Sequence, residues 1–410
     1  MGAPRDGKTQ PRLFPAEAFE GFGPSAFRPA DEPTTGRKLR SKRAKRLHRG
    51  VRDHAPKTPG VYGMIDDRAR VVYIGKAKNL RSRLMSYFRE NSRPPKAAKI
   101  IERTRVLVWE QTADEFAALL RELELIQSLR PKLNVLGQPG YQKYHYLCVG
   151  KSPAPYVYTA ARPTGKELGV YGPMVKRYKS EDAARRLNDW FKLRDCPSTV
   201  PLGFSDQGKL FDPDRSPGCI RLEIATCAGP CVAQCSRKEY GTGVRAVKAF
   251  LDGRDRSVLR ELKAKMEAAA ESLQFEKATA MRDRLQTLEW LDGWLSLLRA
   301  ARNKNSFVYP LAGYDGRELW YLIHRGRVRA VSAAPRTPKD RARVAALIAL
   351  TFDDDPTPAL PTDETVDSVL LVSAWFRKNA DEKVRLMTRA EAVARCSRKE
   401  YGAGVRAVKA

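Results

Sequence analysis

The chain has 410 residues, of which 76 are Lys or Arg and 47 are Asp or Glu, giving a formal net charge of +29. Apolar residues make up 42%, enough for packed cores and too many for a wholly disordered chain, and the length suggests two or three domains. No run of about 18 apolar residues is present, which argues against a transmembrane helix, no apolar stretch follows MGAPRDGKTQPR as a secretory signal would, and seven Cys do not look like a secreted disulfide framework. A cytoplasmic protein with no membrane partner is expected. The charge points to a polyanionic partner, the alternative being a basic surface that is merely solvated.

Residues 1–57 hold Pro, Gly and charge without sustained periodicity and are expected to be a disordered basic tail. Nine basic residues and no acid lie between Arg37 and Arg52. Such a block is either a solvated tail or a tether for phosphate.

Residues 58–136 read as a compact α/β unit. TPGVYGMI and ARVVYIG are β-rich segments joined by a turn-like Asp66-Asp67-Arg68-Ala69. A hairpin centred between Asp67 and Arg68 would set Tyr62 opposite Tyr73 on one face, with Gly60 and Gly75 allowing close backbone approach. Asn79 can N-cap a helix over 79–88. That helix would carry Leu80, Leu84 and Phe88 on one stripe, and Arg83 and Tyr87 at i and i+4 on another face. Lys76, Arg83 and the tyrosines then converge. In a second helix over 114–129, Glu122 falls among Ala118, Leu119, Leu125, Ile126 and Leu129, while Arg121, Glu124 and Ser128 fall on the polar side. A carboxylate in an apolar stripe needs a partner or a metal.

Residues 137–255 mix short β segments (YHYLCVG, APYVYTA, VYGPM), a helix from about Ser180 to Phe191 and a Pro- and Gly-rich loop over 197–218. Cys196, Cys219, Cys227 and Cys231 cluster there, which in a cytosolic protein favours metal ligation over disulfides. Cys235 is a spare thiol and Cys148 a core residue. Residues 256–300 are strongly helical, and two apolar stripes meet near Gln274. A hairpin that short cannot bury both, so it packs on a partner or on its own chain. Residues 301–390 form a small α+β segment, with strands expected over 306–332 and a Pro-rich break from Asp354 to Thr362. CSRKEYGTGVRAVKA at 235–249 returns as CSRKEYGAGVRAVKA at 396–410, differing only at Thr242 and Ala403. The copy is too isolated for a solenoid, and residues 391–410 are taken as a tail without function.

TPGVYGM, VVYIGKAKNLRSRLMSYF and ALLRELELIQSLRPKLNVL together resemble the GIY-YIG nuclease domain in its UvrC form. The resemblance implies that Tyr62 and Tyr73 are the half-motif tyrosines, with Lys76, Arg83 and Tyr87 as their basic and phenolic companions. It makes Glu122 the metal ligand, for Mg²⁺ or Mn²⁺, and Asn134 the residue that closes the site. The implied chemistry is metal-assisted phosphodiester hydrolysis. Tyr73 would accept a proton from water, its phenolate favoured by Lys76, Arg83 and the metal, and Arg83 would clamp the phosphate.

The resemblance continues from YHYLC through VYGPM, FKLRDC and IATCAGPCV. In that family the four cysteines are associated with a [4Fe-4S] cluster, although the long 197–218 loop departs from the pattern. Zn²⁺ and unligated thiols stay open. AAESLQFEKATAMRDRL resembles the UVR motif, which implies association with UvrB through 256–291. The organisation is similar to Cho-type proteins, which lack the RNase H-like nuclease and helix-hairpin-helix modules. The implied function is a DNA endonuclease of nucleotide excision repair that makes the 3′ incision. Its alternatives are a structure-specific GIY-YIG endonuclease outside repair and a non-catalytic UvrB- and DNA-binding adaptor.

Overall fold

The computed structural model describes residues 21–29, 36–89, 95–134, 137–138, 144–197, 199–207, 218–353 and 363–397. The chain divides into two compact units, residues 1–141 with 301–410, and residues 142–300.

The first unit opens with β1 (Gly36–Arg40), α1 (Ala44–His54), β2 (Gly60–Ile65), β3 (Val71–Ala77), α2 (Leu80–Ser86), α3 (Pro95–Arg103), β4 (Val106–Gln111) and α4 (Glu115–Leu129). The strands form one antiparallel sheet in the order β1-β4-β2-β3. Leu47, Val51, Leu80, Leu84, Ile100 and Trp109 pack on one face. On the other face, Val61, Ile74 and Val108 meet Leu125 and Ile126 of α4. β2 is buried throughout, which explains its unbroken apolar run.

Residues 36–54 are not part of a tail. β1 pairs with β4 from Gly36↔Glu110 to Arg40↔Val106, and α1 buries Leu47 and Val51. An apolar pair at i and i+4 among cations is a narrow stripe, easily hidden by the surrounding charge. Residues 1–20 and 30–35 of the expected tail lie outside the described residues.

The hairpin register also differs from expectation. Tyr62 lies opposite Gly75, and Tyr73 opposite Met64. The turn is longer than four residues: Asp66 accepts from the N–H groups of Arg68 and Arg70, Ala69 takes φ 58°, and the register slips between Met64 and Ile65. The displacement from Tyr73 to Gly75 is an even number of residues, so both tyrosines stay on one face as diagonal neighbours.

The second unit contains β5 (His145–Val149), β6 (Val157–Ala160), β7 (Gly169–Met174), α5 (Arg177–Trp190), the short α6 (Ile220–Glu223), α7 (Arg237–Leu251), α8 (Ser257–Glu271) and all but the last four residues of α9 (Phe275–Lys304). Its sheet runs β6-β5-β7. The α8–α9 hairpin settles its two apolar stripes in two ways. Leu262, Leu285, Leu288 and Leu291 join the core of the unit, whereas Leu273 and Phe275 at the tip are 73% and 64% exposed. Cys148 is fully buried in β5, as a core residue should be.

The chain completes the first unit with β8 (Phe307–Ala312), β9 (Glu318–His324), β10 (Arg327–Ala333), α10 (Pro338–Thr351), α11 (Asp363–Lys378) and α12 (Arg389–Ser397). The sheet order is β10-β9-β8. Phe116 of α4 sits edge-on to Tyr309 and Tyr321 and against Trp375, so this module is seated on α4. Residues 389–397 are helical rather than a tail, with Ala392 and Cys396 buried. The Pro-rich break over 354–362 and residues 398–410 lie outside the described residues. Among the described residues no helix is long and apolar enough to cross a membrane.

Candidate active site

β3 is the outer strand of its sheet, so its outward N–H and C=O groups need partners. Three residues supply them. Leu133 donates its N–H to Val72 O at 2.9 Å. Asn134 accepts from the Ile74 N–H and donates to the Ile74 C=O, both at 2.8 Å. Glu122 accepts the Lys76 N–H at 3.1 Å. The edge is thereby closed by Leu133 together with Glu122 and Asn134, the last two of which the resemblance singles out. Asn134 is buried, and its amide acts as one rung of a missing strand.

On the face beneath α2, three phenols meet. Ring centroids lie 6.2 Å apart for Tyr62 and Tyr73, 5.9 Å for Tyr62 and Tyr87, and 6.4 Å for Tyr73 and Tyr87. Arg83 donates from Nε to the Tyr62 hydroxyl at 3.1 Å, and its guanidinium stands 5.3 Å from the Tyr87 ring centroid. The Tyr62 and Tyr87 hydroxyls are 2.8 Å apart. A hydrogen-bonded line thus runs from Arg83 through Tyr62 to Tyr87, with the Tyr73 ring beside it. Burial, then the neighbouring phenols, pushes the Tyr62 hydroxyl well above its ordinary pKa; burial, then Tyr73, does the same to Tyr87. Both stay neutral at physiological pH.

Asn79 caps α2 by accepting the Ser82 N–H at 2.9 Å, which sets the helix that carries Arg83 and Tyr87. Gly75 is required by packing: a Cβ there would stand 2.5 Å from Tyr62 Cζ. Burial raises the pKa of Glu122 above the usual carboxylate range, opposed by the charge of Lys76, its N–H bond and Arg83.

Two features had no sequence signal. Lys96 on α3 holds its ammonium 5.7 Å from the Tyr73 ring centroid and lines the pocket with Tyr73, Arg83, Ser86, Tyr87 and Arg89. In sequence it is one cation among many. Arg121 is buried and not on a polar surface. It reaches Glu124 at 2.6 Å, Glu110 at 3.3 Å and the carbonyls of Gly23 and Pro24. The N-terminal segment covers that side of α4, so helical periodicity misassigns it.

Among the described residues no group of three or more His, Cys, Asp or Glu is arranged to hold a metal ion. At the β3 edge a divalent ion would therefore rest on Glu122 with water and phosphate oxygens, which suits Mg²⁺. In the second unit, Cys196, Cys219, Cys227 and Cys231 line one cavity with Arg194 and Arg221, and all are free thiols. Burial raises the pKa of Cys227 and Cys231. Cys235 is buried nearby and pushed up to about 11.

Family models match in chain order: a UvrC-like GIY-YIG domain over residues 58–135, a UvrC/Cho excinuclease middle domain over 144–250, and a UvrB/UvrC motif over 256–289. The UvrABC system protein C of Dechloromonas aromatica is 34% identical over 230 residues, covering 56% of this chain and 36% of that protein. The protein of the same name from Rhodopseudomonas palustris is 30% identical over 341 residues, covering 82% of this chain and 47% of that one. The chain spans about a third to a half of the length of such relatives. The magnesium-bound GIY-YIG N-terminal endonuclease domain of UvrC from Thermotoga maritima is similar to 22% of this chain and 98% of its own, at 35% identity and a TM-score of 0.21.

Fold and sequence together define residues 58–135 as a GIY-YIG nuclease domain. With the middle-domain and UVR-motif matches following in order, the chain carries the domain succession of UvrC/Cho-type proteins over residues 58–289.

Proposed function

We propose that this chain is a metal-dependent DNA endonuclease of nucleotide excision repair, acting in the cytoplasm, that makes the 3′ incision near a lesion when UvrB recruits it. The convergence of Tyr62, Tyr73, Tyr87, Arg83 and Glu122 about the β3 edge supports this reading most. Glu122 would hold one divalent ion, Mg²⁺ or Mn²⁺, which when bound stabilises charge on the scissile phosphate and the leaving oxygen. Tyr73 accepts the proton of the attacking water. Tyr73 reacts as the phenolate, whose negative charge faces Arg83 and Lys96 across their shared pocket before the proton arrives and is lost as it does. Lys76 and Lys96 add positive potential beside the reacting phosphate. Asn134 keeps β3, and with it Tyr73, in place.

Residues 256–291 serve as the UvrB hook, through the exposed tip of the α8–α9 hairpin. The four cysteines would hold a [4Fe-4S] cluster, a role supported by their shared cavity and by the chemistry of four thiolates. Binding there requires the thiols to draw closer together. Absorbance at about 400 nm in anaerobically purified protein, with iron and zinc analysis, tests it.

The deciding experiment is incision of a lesion-bearing duplex with and without UvrA and UvrB. Mg²⁺- and UvrB-dependent nicking 3′ to the lesion is expected. Cutting of undamaged DNA without them would move the protein outside repair, and stable binding without cutting would make it an adaptor.

A further inference from the structure

Along α3, beyond the pocket that holds Tyr73, lies an open cleft lined by Arg68, Arg70, Lys99, Arg103, Arg105 and Lys132. We propose that this cleft binds the phosphate backbone of the DNA strand flanking the scissile phosphate, an inference that rests on the nuclease reading.

The cleft and the active-site pocket share α3 as a wall. Lys96, Lys99 and Arg103 follow one another at i, i+3 and i+7, so they share one face of that helix. They span about 10 Å along its axis, the rise of about three nucleotides in one strand of duplex DNA. Lys96 stands over Tyr73 at the catalytic end, and Lys99 and Arg103 continue into the cleft. The opposite side is formed by the β2–β3 turn and by Lys132, next to the segment that closes the β3 edge.

The acids of the cleft do not cancel this charge. Asp66 is taken up by Arg70 at 2.8 Å and by two backbone N–H groups. Asp67 and Glu102 remain against Arg68, Lys99, Arg103, Arg105 and Lys132. Arg68, Lys99, Arg103 and Lys132 are exposed and make no ion pair among the described residues. Arg105 is pre-oriented by donating to the Glu102 and Thr104 carbonyls. Exposed cations without acidic partners, along a path that starts at the reacting phosphate, suit a polyanion that displaces counterions as it binds.

The test is binding of the full chain to a labelled duplex by fluorescence anisotropy across a salt series, without divalent ions. The triple variant Lys99→Gln/Arg103→Gln/Lys132→Gln is compared with Arg43→Gln/Lys45→Gln/Arg46→Gln at the N-cap and first turn of α1, which removes equal charge outside the cleft. The cleft triple is expected to weaken binding about tenfold and to flatten the slope of log affinity against log salt by about 2 to 3, and the α1 triple to do much less. The charge-preserving Lys99→Arg/Arg103→Lys variant should bind as the parent does, which separates lost charge from misfolding. Unchanged affinity and slope in the cleft triple, or equal losses from both triples, would overturn the proposal. Because the assay involves no cleavage, failure of the nuclease reading would appear separately, as absent Mg²⁺-dependent nicking by the unmodified chain.

Discussion

Asn134 holds both backbone polar groups of Ile74, at 2.8 Å each. One side chain 60 residues away thus replaces a neighbouring strand at the edge where the phenols and Glu122 gather. Removing it strands two buried groups. Asn134→Ala should destabilise the first unit by about 2 to 4 kcal/mol and slow nicking. Asn134→Asp, which keeps the acceptor but loses the donor when ionised, should fall between. Denaturant melts with nicking rates on the same preparations check this. An alanine variant as stable as the parent would show that the edge does not need the amide.

Gly75 faces Tyr62 across the hairpin. An added Cβ would be driven into the phenol, with the Tyr73 ring beside it and Arg83 beyond on the Tyr62 hydroxyl. Gly75→Ala should destabilise by about 1 to 3 kcal/mol as overpacking does and move the Tyr62 hydroxyl away from Arg83 and Tyr87. Thermal melting together with the nicking rate reads both effects. Retention of both would mean that the phenol has room to move.

Glu122 titrates above the usual carboxylate range because burial disfavours its charge. As pH falls through that raised value the carboxylate takes up a proton, and divalent-ion affinity falls with it. The Mg²⁺ concentration for half-maximal nicking should therefore climb as the pH falls, and begin to climb at a higher pH than it would for an exposed glutamate. Without metal, the folded chain binds this proton more readily than the unfolded one, so the charge at neutral pH is a burden on stability. Glu122→Gln keeps an acceptor for the Lys76 N–H. It should abolish Mg²⁺-dependent nicking while leaving the melting temperature equal or higher. A variant that still nicks would remove Glu122 from the site.

Much of the candidate site is legible in sequence because its parts lie close along the chain. Tyr62, Tyr73, Lys76, Arg83 and Tyr87 occupy one hairpin and the helix after it, where pairing parity and helical spacing decide which side chains meet. The register was missed because Asp66 organises a longer turn than the four polar residues imply. The burial of Arg121 depends on the carbonyls of Gly23 and Pro24, nearly a hundred residues away, and no local period encodes that. The duplicated peptide makes the point most directly. Ser236 caps the start of α7 with a capping box, whereas the equivalent Ser397 is the last residue of α12. The Cys-Ser pair that opens each copy precedes one helix and lies within the other, so surroundings outweigh local preference.

Leu273 takes φ +57° at the hairpin tip, a left-handed conformation that costs a residue other than glycine about 1 to 2 kcal/mol. It is also 73% exposed beside the 64% exposed Phe275. A strained, exposed leucine offers its own fold nothing that Gly would not supply, so its side chain is best explained by an apolar partner. Leu273→Gly should raise the stability of the second unit, or leave it unchanged, and weaken capture of UvrB. Phe275→Ser should weaken capture as well, without relieving the backbone. Calorimetry on each variant, beside quantitative capture by immobilised UvrB, separates the two effects. Undiminished capture by the Leu273→Gly/Phe275→Ser double variant would place the UvrB contact elsewhere on the chain.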